Sequence, residues 1–555
     1  MRFLRSNMAA IMNNKPYTMQ KLLLLGDEAI AQGALDAGIS GVYAYPGTPS
    51  TEITEYIQHS KIAREENIHC TWSANEKTAM ESAIGVSYTG RRALVCMKHV
   101  GLNVAADPFT NSAITGANGG LVYLIADDPS MHSSQDEQDS RYYARFAQIP
   151  CLEPSNQQEA YDMIRYAFDL SEKLHTPVLF RVTTRMAHSR SGVELRERRA
   201  QNPIKLDPNP KRFILLPANA RKLYKELLEK QKEFENCALN DGFNAYQDGA
   251  DKKLGIIACG IGYNYLQENF GGKCPHPVLK ISQYPIPRAS VKKLMSECDK
   301  VMVVEEGYPI YEELIRGYLD ESGKILGRLD GTLPRDGELN PNILAKALGL
   351  PKTCGEAVPS VVVARPPSLC VGCPHADSYN ALNEAMKDFD RGHVFADIGC
   401  YTLGALPPYN AIYSTVDMGA SITMAKGAAD AGFTPVVAVI GDSTFTHSGM
   451  TGLLDAVNDK ANITVMILDN STTGMTGGQD SAAFGKIESI CLGLGVEREH
   501  IRVIKPLKNH HEENVQVIKE EIAYQGVSVI VPRRECIQTA ARRVKAAAKA
   551  KNESK

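Results

Sequence analysis

Between Pro435 and Asn470 the chain reads PVVAVIGDSTFTHSGMTGLLDAVNDKANITVMILDN, and no other segment constrains the fold as tightly. An apolar run, VVAVI, stops at a Gly-Asp turn. An amphipathic helical stretch follows, and a second apolar run, ITVMIL, stops at Asp469-Asn470. A strand–helix–strand crossover of this kind belongs to a parallel sheet. It delivers Asp442 and Asn470, 28 residues apart, to the same C-terminal edge, where open α/β sheets bind their ligands.

The chemistry of that edge follows from its donors. Mg²⁺ takes oxygen ligands in near-octahedral geometry, usually one or two side chains, carbonyls and the phosphates of a substrate. A carboxylate and an amide oxygen brought together in this way can clamp a Mg²⁺–diphosphate. An ordinary crossover would need no such pair.

The same alternation of apolar runs and helical stretches recurs along 555 residues, which is too long for one core and suits three α/β domains. The runs KLLLLG, GVYAYPG, ALVCMKH, GLVYLIADD and TPVLFRV predict a mostly parallel sheet in a first domain over residues 21–200, after an N-terminal extension, 1–20. Charge, Pro and Asn from Ser191 onward (SGVELRERRAQNPIKLDPNPKRF) read as a linker. A smaller α/β domain, 201–355, holds KLGIIACG, VLKIS and KVMVVEEG and offers no nucleophile or ligand cluster. The third, 356–536, carries HVFADIG, VVAVIGDST, ITVMILDN and VSVIVP. The basic end, 537–555, reads as a solvated helix or frayed tail.

A net charge of −3 excludes a broad basic surface for nucleic acid. No apolar run is long enough to span a bilayer and the first residues lack a signal-peptide core, so a cytoplasmic location is expected. Thirteen scattered cysteines do not make a disulfide framework. Cys96, Cys259 and Cys491 lie in apolar runs and read as core. Cys370 and Cys373 form a CxxC before Pro374-His375, Cys400 follows in ADIGC, and Cys536 comes after the last strand. Thiolates so spaced can hold zinc or an iron–sulfur cluster, or act as a redox pair; spacing alone does not choose.

The segment GDS…DN resembles the GDG…N signature of thiamine-diphosphate enzymes, in the variant found in the indolepyruvate oxidoreductase large-subunit family. The opening motifs LLLLGDEAIAQGALDAG and AYPGTPSTEI are similar to that family as well, and the resemblance runs from about residue 21 to 536. It implies two thiamine-diphosphate-binding-type domains flanking a smaller transketolase-C-like one, with the cofactor expected between the first and third across two copies. It further implies that Asp442, the Asn470 side chain and the Thr472 carbonyl bind Mg²⁺. Gly419, Ser421, Gly441, Ser443 and Thr444 would touch the cofactor, and Cys400 would lie beside it. One departure stands out: the family's TGHQ is TGGQ here, residues 476–479.

Activating thiamine needs a carboxyl group against its pyrimidine in a desolvated site. Glu76 opens a small-residue helix in SANEKTAMESAIGVSYTG, with Gly85 nine residues on, as in the 2-oxoacid ferredoxin oxidoreductases; Glu81 is the rival. Thr48 would place a hydroxyl near the substrate carboxylate, the alternative being a local turn hydrogen bond. His99, with Lys98 and Asn103, sits in a strand-end loop open to a substrate-contact role. In the wider group a CxxC, a single Cys about 25 to 30 residues on and a late Cys hold a 4Fe-4S cluster, and Cys370, Cys373, Cys400 and Cys536 match.

The resemblance implies oxidative decarboxylation of 2-oxoacids, arylpyruvates such as indolepyruvate among them. Coenzyme A would take the acyl group, a small β subunit would complete a dimer of heterodimers, and electrons would leave to ferredoxin or another carrier. The family's subunit usually ends in a ferredoxin-like domain with repeated CxxCxxCxxxCP runs; only the basic tail follows Cys536 here, so another subunit or a soluble carrier is expected to take the electrons. A non-oxidative decarboxylase, or a scaffold with a vestigial thiamine site, would be the competing readings.

Overall fold

The computed structural model describes residues 20–553 other than 321, 354, 365 and 390. The expected N-terminal extension thus lies outside the described residues, apart from Gln20. The chain divides into two compact units, one up to residue 354 and one from 355.

The first unit is built on a seven-stranded sheet in the order Gln283–Tyr284, Cys151–Leu152, Val178–Thr183, Leu121–Asp127, Ala93–Lys98, Gly41–Ala44, His69–Trp72. Every neighbouring pair is parallel except the first. Its central strands are buried along their whole length, which is why they read as unbroken apolar runs. One expectation needs correcting: KLLLLG is not in this sheet. Lys21–Leu25 pairs antiparallel with Arg190–Glu194 in a separate two-stranded ribbon, with Leu23 largely exposed. The stretch read as a linker therefore opens with a strand.

A second, five-stranded sheet runs Ile325–Leu326, Lys300–Val304, Leu254–Cys259, Val278–Ile281, Ala245–Gln247, parallel but for the last strand. A buried ionic network joins its strand ends to those of the larger sheet. Arg141 donates to Asp139 (2.6 Å) and Glu305 (2.8 Å), Arg181 to Asp127 (2.6 Å) and to Glu153, and Arg328 to Glu306 (3.2 Å). Removing one member would strand a buried charge, at a cost of about 3–5 kcal/mol.

The second unit holds one parallel sheet, Val394–Ala396, Val437–Gly441, Ile463–Leu468, Val527–Pro532, Ile501–Ile504. Four of its five strands are apolar runs anticipated from sequence; the edge strand Ile501–Ile504 was not among them. Gly441 stands opposite Leu468 in register, so the residues that follow each, Asp442 and Asp469-Asn470, emerge side by side. The chain then closes on a helix, Ile537–Glu553, whose described side chains are mostly exposed.

Candidate active site

In the first unit, Thr48, Glu76 and His99 follow the C-terminal ends of three adjacent parallel strands, Gly41–Ala44, His69–Trp72 and Ala93–Lys98. Glu76 is the first residue of the helix Glu76–Tyr88, capped by the Asn75 side chain, which accepts from the Thr78 amide at 2.9 Å. The Glu76 carboxyl is buried and lies directly on the backbone of Gly101. A Cβ there would come 2.6 Å from its Oε1, so any larger residue at 101 would displace the Glu76 side chain. Glu81, the rival, is half-exposed and paired with Lys77.

His99 is almost fully buried. Its Nε2 lies 3.3 Å from the Asp136 carbonyl, whereas its Nδ1 is buried without a hydrogen-bond partner. Beside it the Lys98 ammonium donates to the Ser133 carbonyl at 2.6 Å, and burial lowers its pKa against the opposing pull of Asp128 and Asp136. Ser133 in turn donates to the Thr48 carbonyl at 3.4 Å. The loop DDPSMHSSQDEQ thus gathers Thr48, Lys98 and His99. Asn103 is exposed and accepts from Tyr143 at 2.5 Å.

In the second unit, Asp442 is buried at the end of its strand. Its Oδ1 accepts from the Ser443 amide at 2.8 Å, and its Oδ2 has no partner. Burial, then the nearby Asp469, push its carboxyl up to about 7. A buried, half-satisfied carboxylate of this kind fits a cation ligand. Asp469 does not compete for that role, because its Oδ2 is held by Arg533 at 2.6 Å. The Asn470 amide nitrogen donates to His375 Nε2 at 3.1 Å, and its Oδ1 accepts from the Thr472 amide at 3.2 Å. Thr472 lies in a short ribbon with Gln479–Asp480, Ser443 shares a hydrogen bond with Thr473 at 2.7 Å, and the Thr444 hydroxyl donates to the Ile398 carbonyl. Gly441 packs against the Tyr401 ring so closely that a Cβ would sit 2.6 Å from it.

Gly419 and Ser421, expected at the cofactor, stand where the helix Ala420–Asp430 begins. The amides of Gly419 and Ser421, and the Ser421 hydroxyl, all donate to Asp397 Oδ2 at 3.1, 3.2 and 2.6 Å. These bonds to a buried carboxylate fix the turn that carries both residues. Asp397 was not singled out in the sequence. It also accepts from Tyr401, and burial raises its carboxyl to about 6. His375 was missed as a site residue as well; burial, with Arg534 adding, pulls its imidazole down to about 4, so it is neutral toward Asn470.

The four cysteines come together. The Cys400 thiol is pushed up to about 12 by burial, with Cys373, Cys536, Cys370 and Asp442 close enough to oppose its ionisation further. Arg534 draws the distant Cys536 segment in, donating to the Gly372 carbonyl of the CxxC turn and to Asp377, both at 2.8 Å. Gln538 reaches Cys370 Sγ at 3.7 Å. Among the described residues no three of these sulfurs lie within 4.8 Å of one another. Thiolates on a single zinc would sit about 3.8 Å apart. A cubane would take one thiolate on each iron. Cys96, Cys259 and Cys491, by contrast, are fully buried in the apolar cores.

Comparison with known proteins defines the class first. Residues 32–219 match the family model of the thiamine-diphosphate-binding part of pyruvate flavodoxin/ferredoxin oxidoreductase. Residues 397–531 match that of the C-terminal, thiamine-pyrophosphate-binding domain of thiamine pyrophosphate enzymes. The fold is that of a thiamine-dependent 2-oxoacid oxidoreductase. "Indolepyruvate oxidoreductase subunit IorA" of Archaeoglobus fulgidus is 39% identical over 546 residues, covering 93% of this chain and 86% of that one. The subunit of the same name from Methanothermobacter thermautotrophicus is 39% identical over 548 residues (93% and 87%), and that from Thermococcus kodakarensis 38% over 565 (93% and 86%). The chain belongs to the IorA family of indolepyruvate oxidoreductase subunits.

Proposed function

We propose that this subunit oxidatively decarboxylates arylpyruvates such as indolepyruvate, with coenzyme A as acyl acceptor and a 4Fe-4S cluster on Cys370, Cys373, Cys400 and Cys536 as the electron outlet. The names of its relatives support the substrate class, and their designation as subunits supports a partner chain, the small β subunit, in a dimer of heterodimers. Ferredoxin or another carrier would collect the electrons. A cytoplasmic location is part of this reading; separately, none of the described helices is long and apolar enough to cross a membrane.

Thiamine diphosphate, when bound, supplies the electron sink that lets CO₂ leave. The protein's own part is to hold and protonate. The Asp442 Oδ2, the Asn470 side chain and the Thr472 carbonyl would hold Mg²⁺ and through it the diphosphate, with Gly441, Ser443 and Thr444 lining the turn. Glu76 would hold a proton against the pyrimidine ring, in a site dry enough to fix its protonation. Thr48 and His99, whose Nδ1 has no partner, would orient the substrate carboxylate.

The observation that carries this reading is the unpartnered Asp442 Oδ2 next to the gathered thiols. Anaerobic co-expression with the partner subunit, followed by cofactor analysis and a screen of 2-oxoacids with a low-potential dye, tests it. Arylpyruvate-dependent, coenzyme-A-dependent dye reduction is expected; release of free aldehyde without dye reduction would overturn the oxidative step.

A further inference from the structure

Away from the site described, three polar side chains from distant parts of the first unit converge. Asp27 is the second residue of the helix Gly26–Asp36, Glu52 the second residue of Thr51–His59, and His188 the last of Thr184–His188. One ligand atom of each lies within 4.8 Å of the other two.

The backbone forces this meeting. The Gly26 amide donates to the Ser189 carbonyl at 3.1 Å, and a Cβ on Gly26 would come 2.0 Å from the Met186 carbonyl. Only glycine lets the helix start so near the Thr184–His188 turn, and that approach sets Asp27 beside His188.

Asp27 is fully buried, and neither of its carboxylate oxygens has a hydrogen-bond partner. Glu52 Oε2 is likewise buried and unpartnered, while Glu52 Oε1 lies 3.6 Å from His188 Nε2. Burial, with Glu52 and Glu28 adding, drives the Asp27 carboxyl well above its ordinary range. Glu52 and His188 pair with each other, which lowers the Glu52 carboxyl and raises the His188 imidazole, so the buried Asp27 beside them is left either to keep its proton or to meet a cation.

We propose that Asp27, Glu52 and His188 form a divalent transition-metal site, taking Mn²⁺ or Zn²⁺ with water in the open positions. The donor set of one imidazole and two carboxylates suits ions of intermediate softness. Ligands on one such ion, with bonds of about 2.1 Å, stand about 3.4 Å apart, close to the 3.6 Å already present between Glu52 and His188. The side chains of Glu52 and His188 are a third exposed, which gives the ion a way in. Three elements would be cross-linked, among them the helix Thr51–His59, whose first residue accepts from the Gly47 amide of the preceding turn at 3.0 Å. The site stands independently of any role for Thr48 in that turn.

The test counts Mn²⁺ bound to the full-length chain by electron paramagnetic resonance, in wild type, Asp27→Asn and His188→Gln. Wild type should bind one more Mn²⁺ per chain than either variant, Zn²⁺ should displace that ion, and Mn²⁺ should raise the melting temperature of wild type only. Asp27→Asn keeps the shape of the side chain, and His188→Gln alters a half-exposed position, so folding is checked in both by circular dichroism. Equal Mn²⁺ stoichiometry and affinity within about twofold in all three would overturn the proposal. So would an Asp27→Asn chain that is more stable than wild type with or without Mn²⁺, the mark of a carboxyl that simply keeps its proton.

Discussion

The backbone N–H of Cys536 donates to the carbonyl of Asn470 at 3.1 Å. The residue whose side chain would hold magnesium and the residue whose thiolate would hold iron are therefore joined by one hydrogen bond. Electrons leaving the thiamine site would have a short path into the cluster, and disturbing either centre should be felt at the other.

Asp442→Ala should lower Mg²⁺-dependent thiamine diphosphate affinity by more than about 100-fold, beyond the range for groups that only support metal ligands. Calorimetry reads it directly. Unchanged affinity would place the ion elsewhere.

For Glu76→Gln, cofactor binding should stay within about tenfold while exchange of the thiazolium C2 proton slows by about 10²-fold or more, the usual loss when an acid–base group is removed. Proton exchange followed by NMR separates the two. A variant exchanging at the normal rate would move the role to another carboxyl group.

Arg534 touches no ligand atom but ties the Cys536 segment to the Gly372 carbonyl and to Asp377. Arg534→Leu should therefore lower cluster retention under mild oxidation although all four thiols remain. Iron content measured over a timed exposure to air checks this, with wild-type retention as the contrary result.

Much of this was legible in the sequence, and the limits have physical causes. VVAVI and ITVMIL announce their strands because both faces are buried, and the register Gly441–Leu468 does the rest. KLLLLG has the same unbroken apolar look without the burial, since Leu23 is exposed, and its ribbon partner, Arg190–Glu194, could not be inferred from local pattern. Asp397 and His375 each stand alone among apolar or small residues, so nothing in their spacing signals that they fix Gly419, Ser421 and Asn470. Asp27, Glu52 and His188 are scattered over the chain and meet only because Gly26 permits a close backbone approach.

Glu306 offers a pH test of the ionic network in the first unit. Its carboxyl is raised from 4.5 to about 7 by burial, against the Leu339 amide and Arg328. The folded chain thus holds this proton more tightly than the unfolded one, so the contribution is full below about pH 4.5 and is lost as the pH rises through 7. Relative to Glu306→Gln, wild type should lose up to about 3 kcal/mol of stability across that window. Denaturant unfolding at a series of pH values checks it; wild type that gains stability relative to Glu306→Gln as the pH rises would reverse the assignment.

The most direct test of the account is the metal content of anaerobically prepared protein. If Cys370, Cys373, Cys400 and Cys536 hold one 4Fe-4S cluster, the chain should carry about four irons with matching acid-labile sulfide. Each single Cys→Ser change among the four should lower that content, while Cys96→Ser and Cys259→Ser leave it unchanged. Zinc in place of iron, or full iron retained without Cys536, would contradict it.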